Sequence, residues 1–274
     1  MNVNDLQRFK GWFESYTRSF SSGNEDDREN ISLKVEHSYN VCRFIVPIAR
    51  EETTDRALVL LAETVALFHD VGRFPQYAQY KTFRDSISVN HGKLGAGTLS
   101  EEKVLAGLPE EEREIILTAV RFHNAFSIPD LDNPVALFCL KLVRDADKLD
   151  IWRIFLEFYE NGKDGLASAA GLGLPDIPEY SDEIVAAIHE KRTASLSSMK
   201  SLTDFILLQL SWIYDLNFKP SARILMEKGI IDRFLRFLPR TEDMIHVSRI
   251  LGDYAREQLE KPASRFSGAG EKHL

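Results

Sequence analysis

The sequence predicts an all-α protein, and three observations carry that prediction. Nearly every apolar pattern has helical spacing, no stretch alternates convincingly as a strand would, and the one long segment without such a period is rich in Gly, Ala and Pro, as a loop would be. Taken in order, residues 31–50, "ISLKVEHSYNVCRFIVPIAR", place apolar side chains at 41, 44, 45 and 48, on one helical face. Residues 56–71 are apolar almost all round, which suits a central, buried helix. Residues 110–124 open with acids, as the positive end of a helix dipole favours. "DNPVALF" offers Asn133 as N-cap and Pro134 at the first helical position of a long helix reaching about Tyr159.

Residues 161–182, "NGKDGLASAAGLGLPDIPEYSD", read as a loop by composition. Amphipathic helices are expected beyond it at roughly 182–198, 200–217, 220–237 and 241–260, and the tail "KPASRFSGAGEKHL" reads as frayed. The organisation expected is a core over 1–160, including an N-terminal helix, and a helical extension over 161–274 packed on it as one globular unit. "LLQLSWIYDLNF", residues 207–218, is too rich in large apolar residues to stand free, so it packs on the core or forms a contact in a homodimer.

At 274 residues the chain can bury a core without staples, and 44% apolar with 28% charged residues is an ordinary globular composition. Cys42 and Cys139 sit within helical patterns and read as buried free thiols of a reducing compartment. The first twenty residues lack a signal-type apolar core, and no apolar run approaches the ~20 residues of a membrane span. The expectation is a cytoplasmic protein without a membrane partner. A net charge of -8 argues against general nucleic-acid binding but leaves room for a local basic pocket and a small anion.

The chemistry lies in the histidines. His37 shares a stripe with Val41, Phe44, Ile45 and Ile48; His123 shares one with Ile116, Ala119 and Val120; His91 shares a face with Leu94, Gly95, Thr98 and Leu99. His69 follows Val65 and Ala66 on the central helix. All four therefore point inward, whereas His246 and His273 read as ordinary surface or tail residues and His189 is ambiguous. One inward histidine is usually a hydrogen-bonded core residue. Four on separate segments are different, because buried imidazoles need partners and a shared metal satisfies all of them. A mixed His and carboxylate shell suits divalent Mn, Fe, Ni, Zn or Co, with Mg a further option.

Carboxylates come from "LVRDADKLDIW", residues 142–152. Asp147 falls on the stripe of Leu140, Val143, Ile151, Ile154 and Phe158, and is the expected ligand. Asp145 has Lys141 and Lys148 as helical neighbours and is expected to pair at the surface; Asp145 and Asp150 read as outer or cap-like residues. Asp70, beside His69, is placed to bridge two ions.

In chain order these residues give H…HD…H…H…D. With the motifs "EHSYNV", "LFHDVGRF", "VNHGKLG", "RFHN" and "RDADKLD", residues 30–160 resemble the histidine–aspartate (HD) domain superfamily of metal-dependent phosphohydrolases. The resemblance implies an HD helical bundle whose minimal ligands match His37, His69, Asp70 and Asp147. Members with two further histidines, here His91 and His123, commonly hold a second metal bridged by the aspartate. The Gly-Tyr-Pro signature of cyclic-dinucleotide phosphodiesterases is missing, since "HNAFSIPDLDNP" follows His123, and that argues against a cyclic dinucleotide.

The activity implied is hydrolysis of a phosphate ester or anhydride of a nucleotide or other small phosphorylated metabolite, with water activated by one or two divalent ions and no Ser or Cys nucleophile. Asp70, Arg73 and Lys148 are the expected catalytic residues, the two cations resembling those that HD hydrolases place beside their ligands; Lys81, Arg84 and Lys93 are weaker candidates. The Gly-rich segment and the C-terminal helices would close over the cleft or simply cap the core. Two rivals share the fold. A di-iron oxygenase uses the same ligand set, and a non-catalytic module would have lost ligands, all six of which are present here.

Overall fold

The computed structural model describes residues 1–21, 23–162, 167–170, 173–262 and 265–266, and among these there is no strand. Most of the expected tail and parts of the Gly-rich segment lie outside the described residues. The chain divides into two compact units: one of residues 1–150 with 166–171 and 264–274, the other of residues 151–165 with 172–263. The boundary expected at residue 160 coincides with the end of a helix, whereas the division between units falls inside that helix, at Asp150.

In the first unit, α1 (Val3–Arg18) and α2 (Glu25–Glu52) flank α3 (Arg56–Phe68), which buries Leu61, Ala62, Val65, Ala66, Leu67 and Phe68. That helix is central, as its all-round apolarity requires. Edge-to-face contacts set Phe68 against Phe9, at 5.6 Å between centroids, and Phe74 against Phe13, at 5.8 Å. These aromatic pairs fix both ends of the short turn that carries His69 and Asp70.

After α4 (Arg73–Tyr80) come α5 (His91–Glu101), packed along α6 (Glu110–Phe122), and then α7 (Pro134–Glu160). The Asn133 side chain caps α7 as expected, accepting from Val135 N at 2.9 Å and Ala136 N at 3.0 Å. Gly72 lets the turn after α3 touch α5: a Cβ there would lie 2.2 Å from the His91 carbonyl oxygen and 2.6 Å from Gly95 N. Gly92 does the same for α6, where a Cβ would lie 2.8 Å from the Arg121 carbonyl oxygen and 3.0 Å from that of Val120. In the described part of the Gly-rich segment, Ala169 N donates to the buried Asn30 Oδ1 at 2.9 Å, holding that stretch on α2.

In the second unit, α8 (Asp182–His189) packs on α9 (Leu202–Ser211) and α12 (Glu242–Glu260), with α10 (Lys219–Glu227) and α11 (Ile230–Leu235) completing the bundle. Two expected helices are shorter than the periodicity suggests. The one expected over 182–198 stops at His189, because Lys191 turns left-handed (φ 54°) and Arg192 N bonds Ala187 O at 3.0 Å, closing the helix end. The one expected over 220–237 breaks at Gly229 (φ 59°). No described helix is long and apolar enough to cross a membrane.

Candidate metal centre

His69 and His123 occupy equivalent places, each capping the C-terminus of its helix, α3 and α6. In each ring Nδ1 points back to a backbone carbonyl three residues earlier: Ala66 O at 2.7 Å for His69 and Val120 O at 2.8 Å for His123. A carbonyl can only accept, so the neutral form of each ring carries its hydrogen on Nδ1 and leaves Nε2 bare. His37, inside α2, and His91, at the start of α5, are held by carboxylates instead. His37 Nδ1 lies 2.7 Å from Asp150 Oδ2, and His91 Nδ1 lies 2.8 and 2.7 Å from the two oxygens of Asp85. The outcome is four inward Nε2 atoms.

They meet in pairs. His37 and His69 approach at 3.2 Å between Nε2 atoms, and His91 and His123 at 3.0 Å. Asp70 stands between the pairs. Its Oδ2 lies 3.6 and 3.8 Å from His37 and His69, and its Oδ1 lies 3.3 and 3.6 Å from His91 and His123. Asp147 Oδ1 joins the first pair, 3.0 Å from His37 Nε2 and 3.7 Å from His69 Nε2. All six ligand residues expected from the sequence are therefore brought together.

The histidine–histidine, His91–Asp70 and His37–Asp147 spacings, 3.0–3.3 Å, are those of a coordination shell, and the remaining carboxylate contacts, 3.6–3.8 Å, lie a few tenths of an ångström beyond it. With metal–nitrogen bonds of about 2.0–2.1 Å, neighbouring ligand atoms lie about 2.8–3.4 Å apart. Bare lone pairs facing each other at 3.0 Å repel unless a cation, a proton or a metal ion, lies among them. Three overlapping sets satisfy the proximity a metal needs: His37, His69 and Asp70; His69, His123 and Asp147; and Asp70, His91 and His123. The donor set, imidazole with carboxylate, suits a divalent transition metal.

Electrostatics point the same way. Burial pushes the imidazolium form of His69 down to about 4, and burial with the nearby Arg73 charge takes His91 down to about 3, so both are neutral at pH 7. His37 is raised to about 9: burial and Lys34 oppose its charge, but hydrogen bonds to Asp147 and Asp150 win. Asp70 is held well below the usual carboxylate range despite its burial, by the Lys34 charge first and the Arg73 charge beside it.

The long helix corrects one expectation. Asp145, expected to pair at the surface, is 0% exposed, while the Asp147 side chain retains 19% exposure. α7 is buried on most of its circumference at this point, so a single apolar stripe does not separate inside from outside. Asp150, read from the sequence as an outer or cap-like residue, is fully buried and stands behind His37, in contact with its Nδ1.

The expected cations differ among themselves. Arg73 Nε lies 3.5 Å from Asp70 Oδ1, but its Nη1 is engaged by Gln76 Oε1 at 2.8 Å, Asp85 Oδ1 at 2.9 Å and the Phe83 carbonyl. Lys148 Nζ, half-buried, donates to Arg144 O at 3.2 Å. Lys81 pairs with Asp27 at 2.7 Å, and Lys93 is exposed. A cation the sequence reading did not single out lies closer to Asp70 than Arg73 does: Lys34 Nζ is 2.8 Å from Asp70 Oδ2. Its signal was present, since Lys34 lies one helical turn before the inward His37. Asp85, also missed, had no such signal. It lies in a short turn whose position on His91 depends on how the chain folds around it.

Residues 35–152 match the HD domain family, a family made up mostly of metal-dependent hydrolases. No curated protein and no solved structure matches the chain.

Proposed function

With an HD domain over residues 35–152 as the premise, we propose that this protein is a metal-dependent phosphohydrolase acting on a nucleotide or another small phosphorylated metabolite. One observation carries the reading: the two oxygens of Asp70 face two different histidine pairs, an arrangement suited to two cations sharing one carboxylate. In this reading His37, His69, Asp70 and Asp147 hold one ion, and Asp70, His91 and His123 the other. Bound there, such ions supply Lewis acidity towards a phosphoryl oxygen and a water acidic enough to attack phosphorus near neutral pH.

The chain's own residues do the rest. Lys34, beside Asp70, and Lys148, beside Asp147, supply positive charge where charge builds on the phosphoryl oxygens. Arg73 contributes to the same field from 3.5 Å while its Nη1 ties it to the protein, so it acts as a fixed charge. Because His69 and His91 are neutral well below pH 7, neither needs to shed a proton before it can ligate.

The test is phosphate release by the Mn-loaded protein on nucleoside mono-, di- and triphosphates and on simple sugar phosphates, with oxygen uptake by the Fe-loaded protein measured in parallel. Turnover of at least one phosphate compound, lost in Asp147→Ala, is expected. No release from any of them, alongside oxygen uptake, would replace the hydrolase with the oxygenase that shares this ligand set.

A further inference from the structure

We infer that Asp85 is the positioning residue for one half of this centre, and that the two halves are clamped by separate carboxylates, Asp85 and Asp150. The inference rests on the metal-binding reading above and names which residues outside the ligand set make it work.

An imidazole ligand must have its tautomer and its ring direction fixed, and the partner of its second nitrogen does both. His69 and His123 get this from the backbone, because a helix C-terminus leaves carbonyls free to accept. His37 and His91 cannot. One lies inside a helix whose carbonyls are already engaged, and the other opens a helix, where the free backbone groups are N–H donors. A side-chain acceptor is required at each, and the structure supplies one: Asp150 for His37 and Asp85 for His91.

Asp85 is itself held from three sides. Its Oδ1 accepts from Arg73 Nη1 and Gln76 Nε2, each at 2.9 Å, and its Oδ2 accepts from Asn124 Nδ2 at 2.9 Å. Gln76 is fully buried and is anchored in turn by donating to Ser88 Oγ and Val89 O, each at 2.9 Å. The carboxylate therefore has little freedom to rotate, and the Nε2 of His91 inherits that rigidity. Asp150, three residues after Asp147 on the same helix, contacts His37 of the other pair. The two clamps touch different histidines and different segments, so the halves should respond to them separately.

The experiment compares the full-length protein with Asp85→Asn and Asp150→Asn. Ion content and affinity are read by calorimetry with Mn alone and by elemental analysis. Imidazole tautomers are read by two-bond proton–nitrogen correlation spectra of the metal-free protein. An amide at 85 can turn its NH2 towards His91 Nδ1, which favours the hydrogen on Nε2, the ligating atom. Wild type is expected to bind two ions, with His91 carrying its hydrogen on Nδ1. In Asp85→Asn one binding event weakens about 10–100-fold while the other is retained, and the His91 spectrum changes tautomer. Asp150→Asn weakens the opposite event.

Two ions held by Asp85→Asn as tightly as by wild type would overturn the inference alone. So would a wild-type His91 with its hydrogen on Nε2, a result that needs no variant to fold. A wild-type protein that binds no ion would overturn the metal reading, and this inference with it.

Discussion

Gly72→Ala pits two effects of opposite sign against each other, and the structure decides between them. Gly72 has an ordinary right-handed conformation (φ -69°, ψ -16°), which alanine adopts without strain. On backbone entropy alone the substitution would stabilise the protein by about 0.4–1 kcal/mol. The added methyl, however, would sit 2.2 Å from the His91 carbonyl oxygen and 2.6 Å from Gly95 N, and both are backbone atoms that cannot swing aside. A carbon and an oxygen need over 3 Å, so α5 must retreat by about 1 Å, at a cost of about 1–3 kcal/mol for overpacking. The net expectation is a loss of about 1–2 kcal/mol, or about 2–8 °C in melting temperature.

The same retreat carries His91 away from Asp70, which lies 3.3 Å from it, so the ion position formed with His123 should weaken while that at His37 holds. Gly97→Ala is the control on the same helix. A Cβ there meets nothing within 4 Å, and the helical gain, about 1 kcal/mol, should appear unopposed. Thermal unfolding by circular dichroism and metal content by elemental analysis read both effects. A Gly72→Ala protein as stable and as metal-rich as wild type would show that the contact between the turn and α5 is not as described.

Three further outcomes follow from the site. Asp70→Asn should lower metal content at both positions, because each oxygen serves one histidine pair; retention of one full equivalent would refute the shared-carboxylate geometry. Metal affinity should rise with pH. The raised pKa of His37, about 9, means that it is protonated at pH 7 and must release that proton to ligate, so affinity climbs up to tenfold per unit and levels off above about 9. The same shift means that the ion-free fold has the full His37 contribution below about 6.5 and loses it as pH rises through 9; calorimetry in buffers of different ionisation enthalpy counts the released proton. Lys34→Met should leave metal content unchanged and lower kcat/KM on a phosphorylated substrate by about a hundredfold, whereas unchanged kinetics would place that ammonium outside the reaction.

The all-α class and the inward direction of His37, His69, His91 and His123 were legible in the sequence, because helical spacing assigns a face to each side chain and apolar neighbours mark that face as buried. The long helix showed the limit of that rule. Where α7 is surrounded by protein, facing no longer sorts residues, and Asp145 proved more buried than Asp147. Helix ends were decided by single residues, Lys191 and Gly229, whose left-handed backbones the apolar period does not register. What only the tertiary structure could decide was which groups stand behind and beside the ligands. Asp85 reaches His91 from a turn, Asp150 reaches His37 across 113 positions of sequence, and Lys34 meets Asp70 between two helices. The physical reason is range: a helical pattern fixes directions within a few turns of chain, while hydrogen bonds form between whatever atoms packing brings within about 3 Å.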